Sequence, residues 1–363
     1  MYNLALGQYS AEEMSDMLHR DRTVFYEFYV TDKDDHPLGK ITASGSIDFN
    51  ATATIQRAAS LKIKEERDIN FFSDRIKPYM CLQTPSGVAR FPMGVFLPSS
   101  PRRTSSGERT ESEIECYDKT QILSDDRFPQ RHNIPAGTNY VSAIASILTS
   151  AGIGDSKITP TTKETAVDLE FEIGTSKLDA INQLLRSINY YPVYADANGH
   201  LVIKPYEVPM FRSIDAVYAT DKKSIVLTGA AEQTDFFHAP NRIVRYLETA
   251  DRGCLIATYT NNDPSSELST VRRGRTITDV AAVSDIADQA TLDAYTLREY
   301  AESQIYQSVT FESAVMPNHE YLDCIYIINK DLDIQGKYIE QSWHAELVTG
   351  GKMRHVCRKA VSV

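Results

Sequence analysis

Apolar and polar residues alternate along most of this chain with a period of two, the repeat of a strand that buries one face and wets the other. Leu61-Lys62-Ile63-Lys64 shows it plainly, with Leu61 and Ile63 to one side and the two lysines to the other. The same alternation predicts strands in Val24-Phe25-Tyr26-Glu27-Phe28-Tyr29-Val30 and over residues 42–50, 55–64, 79–83, 89–97 and 111–118. Residues 32–39 and Pro85-Ser86-Gly87 carry turn formers, residues 68–80 read as a short turn or helix with Phe71 and Phe72, and residues 99–108 read as a flexible hairpin loop. Ahead of the first strand the period changes. Ser10 followed by Glu13 is a capping box, and Met14, Met17 and Leu18 fall on one face of a short helix. That face packs on its own domain or reaches a neighbouring subunit, so Met14 and Met17, together with Tyr2, are interface candidates.

Near Asp118 the pattern shifts to mixed helix and strand. Val141, Ile144, Ile147 and Leu148 stand at helical spacing until Gly152 ends the run. Residues 168–173 read as a strand, and Ser176 caps a second helix with Leu178, Ile181, Leu184, Leu185 and Ile188 on one face. A hairpin follows about Asp196-Ala197-Asn198-Gly199. Strand signals resume over 224–229, 236–246 and 254–260, the last two paired about Asp251-Arg252-Gly253, before a helix between 284 and 305 with Leu297, Ala301 and Ile305 four apart. Four strands close the chain: Gln307-Ser308-Val309-Thr310-Phe311-Glu312, Cys324-Ile325-Tyr326-Ile327-Ile328, residues 337–347 and residues 352–358. Trp343, the single tryptophan, lies on the third of these as a core or interface residue. The fold class is α+β, predominantly β. Its parts are a β domain with an N-terminal arm over 1–118, a small α+β domain over 119–206, and a β domain with one helix over 207–363.

Met316-Pro317-Asn318-His319-Glu320 with Asp323 behind it, then Gly336-Lys337-Tyr338-Ile339-Glu340-Gln341-Ser342-Trp343, Gly350-Gly351-Lys352-Met353 and a basic last strand form an ordered series. The series resembles the hub proteins at the tip of phage tails and of related contractile injection machines. A second match is Asp74-Arg75-Ile76-Lys77-Pro78-Tyr79 followed by Phe91-Pro92-Met93-Gly94-Val95-Phe96. The resemblance implies that 1–118 and 207–363 are two tube-like antiparallel β-barrels, and that a homotrimer imitates a sixfold ring. It implies a structural, non-enzymatic role in the virion tail tip or baseplate, assembled in the host cytoplasm. The partners it implies are the tail tube or a distal tail ring protein on one side and a spike, fibre or tail lysin, as a separate chain, on the other. DNA would be a partner only in transit through the lumen. A glycan-binding or wall-degrading tail protein, or a distal-tail adaptor ring, remains open as an alternative.

The formal charge of −11 and pI near 5.3 argue against a surface that grips nucleic acid, which needs basic stripes. They suit a channel lined with carboxylates, past which DNA slides. Cys81, Cys116, Cys254, Cys324 and Cys357 lie far apart without a CxxC pair, as buried free thiols do. The start of the chain lacks a signal peptide, and no window is apolar enough to insert in a membrane. His319 and Asp323 have the spacing of a zinc-protease helix with Asp for the second His, but they follow Pro317 between two strand runs, so no metal site is expected. Lysine follows glycine at Lys40, Lys337 and Lys352 without the earlier glycine of a phosphate loop, and no serine has G-x-S-x-G around it. Glu65-Glu66, Asp34-Asp35 and Arg102-Arg103 read as solvated loop charges. No catalytic, cofactor-binding or metal-ligating residue is expected.

Overall fold

The computed structural model describes residues 1–64, 69–106, 109–221, 224–234, 236–249, 253–283, 285–303 and 307–360. Glu65, Glu66, Asp251, Arg252 and Ile305 lie outside the described residues. The first part contains α1 (Ala11–Leu18), β1 (Val24–Thr31), β2 (Pro37–Asn50), β3 (Arg57–Lys64), β4 (Arg75–Thr84), β5 (Gly87–Pro92), β6 (Leu97–Pro98), β7 (Arg102–Ser106) and β8 (Arg109–Tyr117). Next come α2 (Thr120–Asp125), β9 (His132–Ile134), α3 (Tyr140–Ser150), β10 (Ser156–Ile158), β11 (Leu169–Phe171), α4 (Lys177–Ser187), β12 (Tyr194–Ala195) and β13 (Leu201–Ile203). The remainder holds β14 (Ala216–Ala219), β15 (Ala231–Thr234), β16 (Arg242–Thr249), β17 (Gly253–Thr260), α5 (Thr270–Arg273), β18 (Thr278–Ala282), α6 (Gln289–Ser303), β19 (Gln307–Ala314), β20 (Cys324–Asn329), β21 (Ile334–Glu346) and β22 (Lys352–Lys359). Antiparallel strands dominate, as the alternation predicts.

Eight strands run in one antiparallel sheet in the order β15, β19, β22, β21, β2, β3, β8, β7. At its middle β2 pairs with β21, from Ser46 opposite Glu346 to Asn50 opposite Ser342. Each half then curls. The start of β2 pairs with β1, and β1 with β4; Ile76 of β4 bridges Phe96 beside β6, and β6 pairs with β8, so these contacts return to where they began. In the other half β20 pairs with β21 and β14, while β15, from the same stretch of chain as β14, pairs with β19. A single stretch thus joins both ends of that set of strands.

Where β2 exchanges β1 for β21 as neighbour, its residues are small: Ala43, Ser44, Gly45, Ser46. Gly45 has φ +156, and a Cβ built on it would lie 2.0 Å from the Ser60 carbonyl oxygen. Only glycine lets β3 approach the bend. Under the sheet, α1 closes one core. The capping box is formed, with Glu13 N–H donating to Ser10 Oγ and Ser10 N–H to Glu13 Oε2, and Met14 and Leu18 bury against Phe28, Ile47 and Leu61.

In the small α+β part, α3 and α4 pack through Ile144, Ile147, Leu148, Ile181, Leu184 and Leu185, over the short sheets β10-β13-β12 and β9-β11. Asn139 and Ser176 cap the two helices. The hairpin turn falls at Gly199, as expected, with φ +86. The sequence gives no warning of α2, which is too short to show a period.

Parts of the expected pattern are corrected. The predicted hairpin of residues 236–260 exists as β16 and β17, but it forms a separate sheet with β18 instead of opening the second large β unit. The helix α6 covers that sheet through Leu292 and Tyr295, which pack with Leu247 and Ala257, and through Tyr300 against Tyr259; of the expected row Ala301 is buried and Leu297 half-buried. The loop expected over residues 99–108 contains β7, which pairs with β8; its Arg-Arg-Thr-Ser-Ser sequence is polar on both faces and so carries no alternation. Replacing Gly45 with alanine should lower unfolding stability by roughly 2–4 kcal/mol through overpacking. Gly154, with nothing within 4 Å of its Cβ position, is the control: Gly154→Ala leaves the denaturant midpoint nearly unchanged.

Candidate functional site

The eight-stranded sheet has one apolar and one polar face. Val309, Phe311, Met353, Cys357, Ala345, Ile47, Leu61, Ile63, Ile114 and Cys116 are buried on the first. On the second, transverse rows of partners mix acidic and basic residues: Glu312, Arg354, His344 and Asp48 in one, Ser44, Lys62, Glu113 and Arg102 in another. His344 Nδ1 lies 2.7 Å from Asp48 Oδ1, Lys352 Nζ 3.1 Å from Glu312 Oε2, and Lys62 Nζ 2.9 Å from Glu113 Oε1. Ser60 Oγ donates to Glu115 at 2.8 Å. Exposed pairs like these add little stability, but they neutralise the surface. The chain's excess of carboxylates is therefore not gathered on this face.

The opposite side holds an unusual buried cluster. Glu340 of β21 takes His319 Nδ1 on one oxygen and His355 Nδ1 on the other, each at 2.5 Å, and all three side chains are at most 3% exposed. Beyond the rings, His319 Nε2 meets the Tyr218 hydroxyl at 2.6 Å and His355 Nε2 meets Ser313 Oγ at 2.8 Å, and Ser313 Oγ also lies 2.9 Å from the Ala314 carbonyl oxygen. One proton assignment fits the four side-chain contacts: protonated His319 donates to Glu340 and Tyr218, Ser313 donates to neutral His355, and His355 donates to Glu340.

The electrostatics agree with that assignment. Burial alone would lower the His319 pKa, but the charge and hydrogen bond of Glu340, with Asp323 adjacent, outweigh it and raise the value. His355 is lowered, by burial and by the charge of His319, against the pull of Glu340. Burial pushes the Glu340 pKa up, yet the two imidazoles bring it down to about 2. The cluster thus holds one positive and one negative charge, paired and hydrogen-bonded, as a buried charge must be.

Ser313, His355 and Glu340 have the connectivity of a hydrolase triad. All three are 0% exposed, so no substrate reaches Ser313, and the bonds instead tie β19, β22 and β21 together. Among the described residues, His319, Glu340 and His355 also have the mutual spacing of a metal-ligand set, within 4.8 Å. Both Nδ1 atoms already face the carboxylate and both Nε2 atoms face hydroxyls, so a cation would have to displace the protons that hold the cluster together. The His319–Asp323 pairing considered in the sequence is present only at 3.7 Å. Reading the sequence misses the partners of His319 because they come from other strands. One signal was available: His355 stands in phase with the buried Met353 and Cys357.

The interface candidates separate in the structure. Met14 is fully buried, and Trp343 is 4% exposed, stacked on Phe49 at 5.6 Å with Arg57 over its ring. Tyr2 and Met17 are half-buried at the margin of the same core. A cavity of about 440 Å³ beside the separate sheet is lined by Phe236, Phe237, Leu268, Arg272, Arg273 and Arg275. Arg273 is spent on the carbonyls of Phe236, Phe237 and Ala239, and Arg275 lies over the Phe237 ring. No helix among the described residues is long and apolar enough to cross a membrane.

The cluster predicts a dome of stability against pH. His355, with a lowered folded pKa, contributes stability that is lost as pH falls below the unfolded value of about 6.5, and Glu340 adds to this loss between about 4.5 and 2. His319, with a raised folded pKa, contributes stability present below about 6.5 and lost as pH rises through its folded value. Urea midpoints measured across pH should peak near pH 6.5. Glu340→Gln should cost about 3–5 kcal/mol and flatten the acid limb, because it leaves a buried imidazolium without its carboxylate.

No family model and no curated protein matches the sequence. Solved structures do match the fold. A tail protein from Neisseria meningitidis MC58 superposes with TM-score 0.64 at 13% identity, over 92% of this chain and 97% of that one. The 43 kDa tail protein of prophage MuSo2 from Shewanella oneidensis gives 0.61 at 11% identity, over 92% and 98%. The E. coli c3393 protein, a component of the type VI secretion system described as structurally similar to the T4 bacteriophage tail proteins gp27 and gp5, gives 0.50 at 9% identity, over 94% and 75%. Across nearly its whole length, then, this chain has the fold of phage-type tail proteins.

Proposed function

We propose that the protein is a structural hub of a phage-type tail tip or baseplate. Three copies form a ring that joins the tail tube to a central spike or fibre and leaves a lumen for DNA. The observation that carries this reading is the unbroken eight-stranded sheet, whose polar face crosses from the first β unit to the second without a gap. A face that buried one partner would be apolar at its centre. This one is small, polar and mixed in charge, which suits a surface that a polyanion passes without being held. In this reading residues 1–118 and 207–363 are the two tube-like domains, repeated by a threefold axis to imitate six, and residues 119–206 stand beside them. The likeness to tail proteins along most of the chain supports a structural role, and the burial of Ser313, His355 and Glu340 supports one without catalysis.

Sedimentation and electron-microscope class averages test the reading. Trimeric rings with a central opening are the expected result, and a monomer with measurable glycan affinity would replace it with a carbohydrate-binding protein. The lumen assignment has its own check. Converting the polar face with Glu113→Lys and Glu115→Lys should raise affinity for duplex DNA at least about tenfold at low salt in a gel-shift titration, with the gain disappearing as salt rises. An unchanged shift would place that face away from DNA.

A further inference from the structure

At the cavity beside the separate sheet the charge balance of the chain reverses. The chain carries a formal −11, yet this lining holds three arginines, Arg272, Arg273 and Arg275, against one carboxylate, Glu267. Among the described residues Arg273 and Arg275 give their N–H groups to backbone carbonyls, and the Arg272 guanidinium has no partner. The apolar part of the wall is equally unspent. Phe236 and Phe237 are 54% and 60% exposed, beside the buried Leu268.

Both loops that form the cavity, residues 236–240 ahead of β16 and residues 266–275 between β17 and β18, are held from below by a fully buried asparagine. Asn241 donates to the carbonyls of Leu268 at 3.2 Å and Arg275 at 2.9 Å, and accepts from the Ile277 N–H at 2.8 Å. Arg273 then crosses between the loops to the carbonyls of Phe236, Phe237 and Ala239 at 2.7 to 2.9 Å. The backbone beneath both phenylalanines is fixed before anything binds, which lowers the ordering cost of binding.

We propose that this cavity docks a peptide segment of a partner chain in which carboxylates flank an aromatic or large aliphatic side chain. The apolar side chain fills the space beside Phe236 and Leu268, and the carboxylates meet Arg272 and the outer N–H groups of Arg275. Charge complementarity selects the acidic partner, and aromatic residues with arginine are the types that carry most interface energy. Nucleic acid fits less well. The Arg275 guanidinium, 4.9 Å from the Phe237 ring centre, already covers that ring against a stacking base, and Glu267 repels phosphate but can accept a peptide N–H. The site lies on the separate sheet, so its occupation and the assembly of a ring are measured independently.

Panning a displayed library of random peptides on the full chain, with Arg272→Glu and Phe236→Ser proteins for counter-selection, tests the site. Enriched peptides should carry Asp or Glu beside Phe, Trp or Leu. A fluorescein-labelled synthetic copy of the commonest one should bind in fluorescence polarisation, lose at least about tenfold in affinity to either variant, and weaken as salt rises. Arg186→Glu, at an exposed arginine of α4 outside the lining, should leave affinity within about twofold. Because Arg272 has no side-chain partner and Phe236 is half exposed, both variants should keep the wild-type urea midpoint. No enrichment, enriched peptides without acidic residues, or equal binding to wild type and both variants would overturn the proposal. Binding of labelled oligothymidine or of anionic lipid vesicles that Arg272→Glu abolishes, with no peptide enriched, would overturn the peptide assignment in favour of a phosphate-bearing ligand. Ring formation by Phe236→Ser, read in the microscope, keeps a failure here distinct from a failure of the hub reading.

Discussion

Five residue pairs between β2 and β21 make one object of what would otherwise be two. Their backbone bonds carry a sheet across the junction, and their side chains build the core beneath it. Ile47 and Ala345 are buried side by side, and Phe49 stacks on Trp343 with the rings 21° apart. Arg57 closes over the indole from β3. Because neighbouring partners share a face, the same five pairs that place these apolar groups inside also line up Asp48 with His344 and Ser46 with Glu346 outside. Core and polar surface are two consequences of one register. A slip of a single residue would exchange them.

The second constraint is electrostatic. A carboxylate and two imidazoles with almost no solvent exposure would be ruinous singly, and they are tolerable because every ring nitrogen has a partner and each Glu340 oxygen takes one imidazole. The cluster draws on β14, β19, β21, β22 and the turn before β20. It cannot form until all of them are docked. Apolar contacts among Val309, Phe311, Ile325 and Ile327 would tolerate small shifts of one strand against another, whereas directional bonds near 2.5 Å would not. The cluster therefore serves as a register pin for the C-terminal β unit, where the chain passes from β14 and β15 through the elements β16 to α6 and returns at β19.

What the chain says unaided follows from local physics. Alternation identifies β3, β19 and β22, because each has one wet and one dry side, and the capping residues Ser10 and Ser176 begin helices by supplying acceptors to unpaired N–H groups. The hairpin at Gly199 is legible for the same reason. A resemblance carried by short motifs pointed to the fold that the tail proteins share. Which strands meet was not written locally. β16 and β17 have the same period as strands of the large sheet, so nothing in their sequence tells that they belong to another, and β7 has no period at all. His319, Glu340 and His355 stand 21 and 15 residues apart, and only the folding of β21, β22 and the turn before β20 onto one another brings their nitrogens and oxygens together. Periodicity reports the solvent on either side of a strand, while pairing and proton sharing depend on which other strand stands beside it, and that is decided by the whole chain at once.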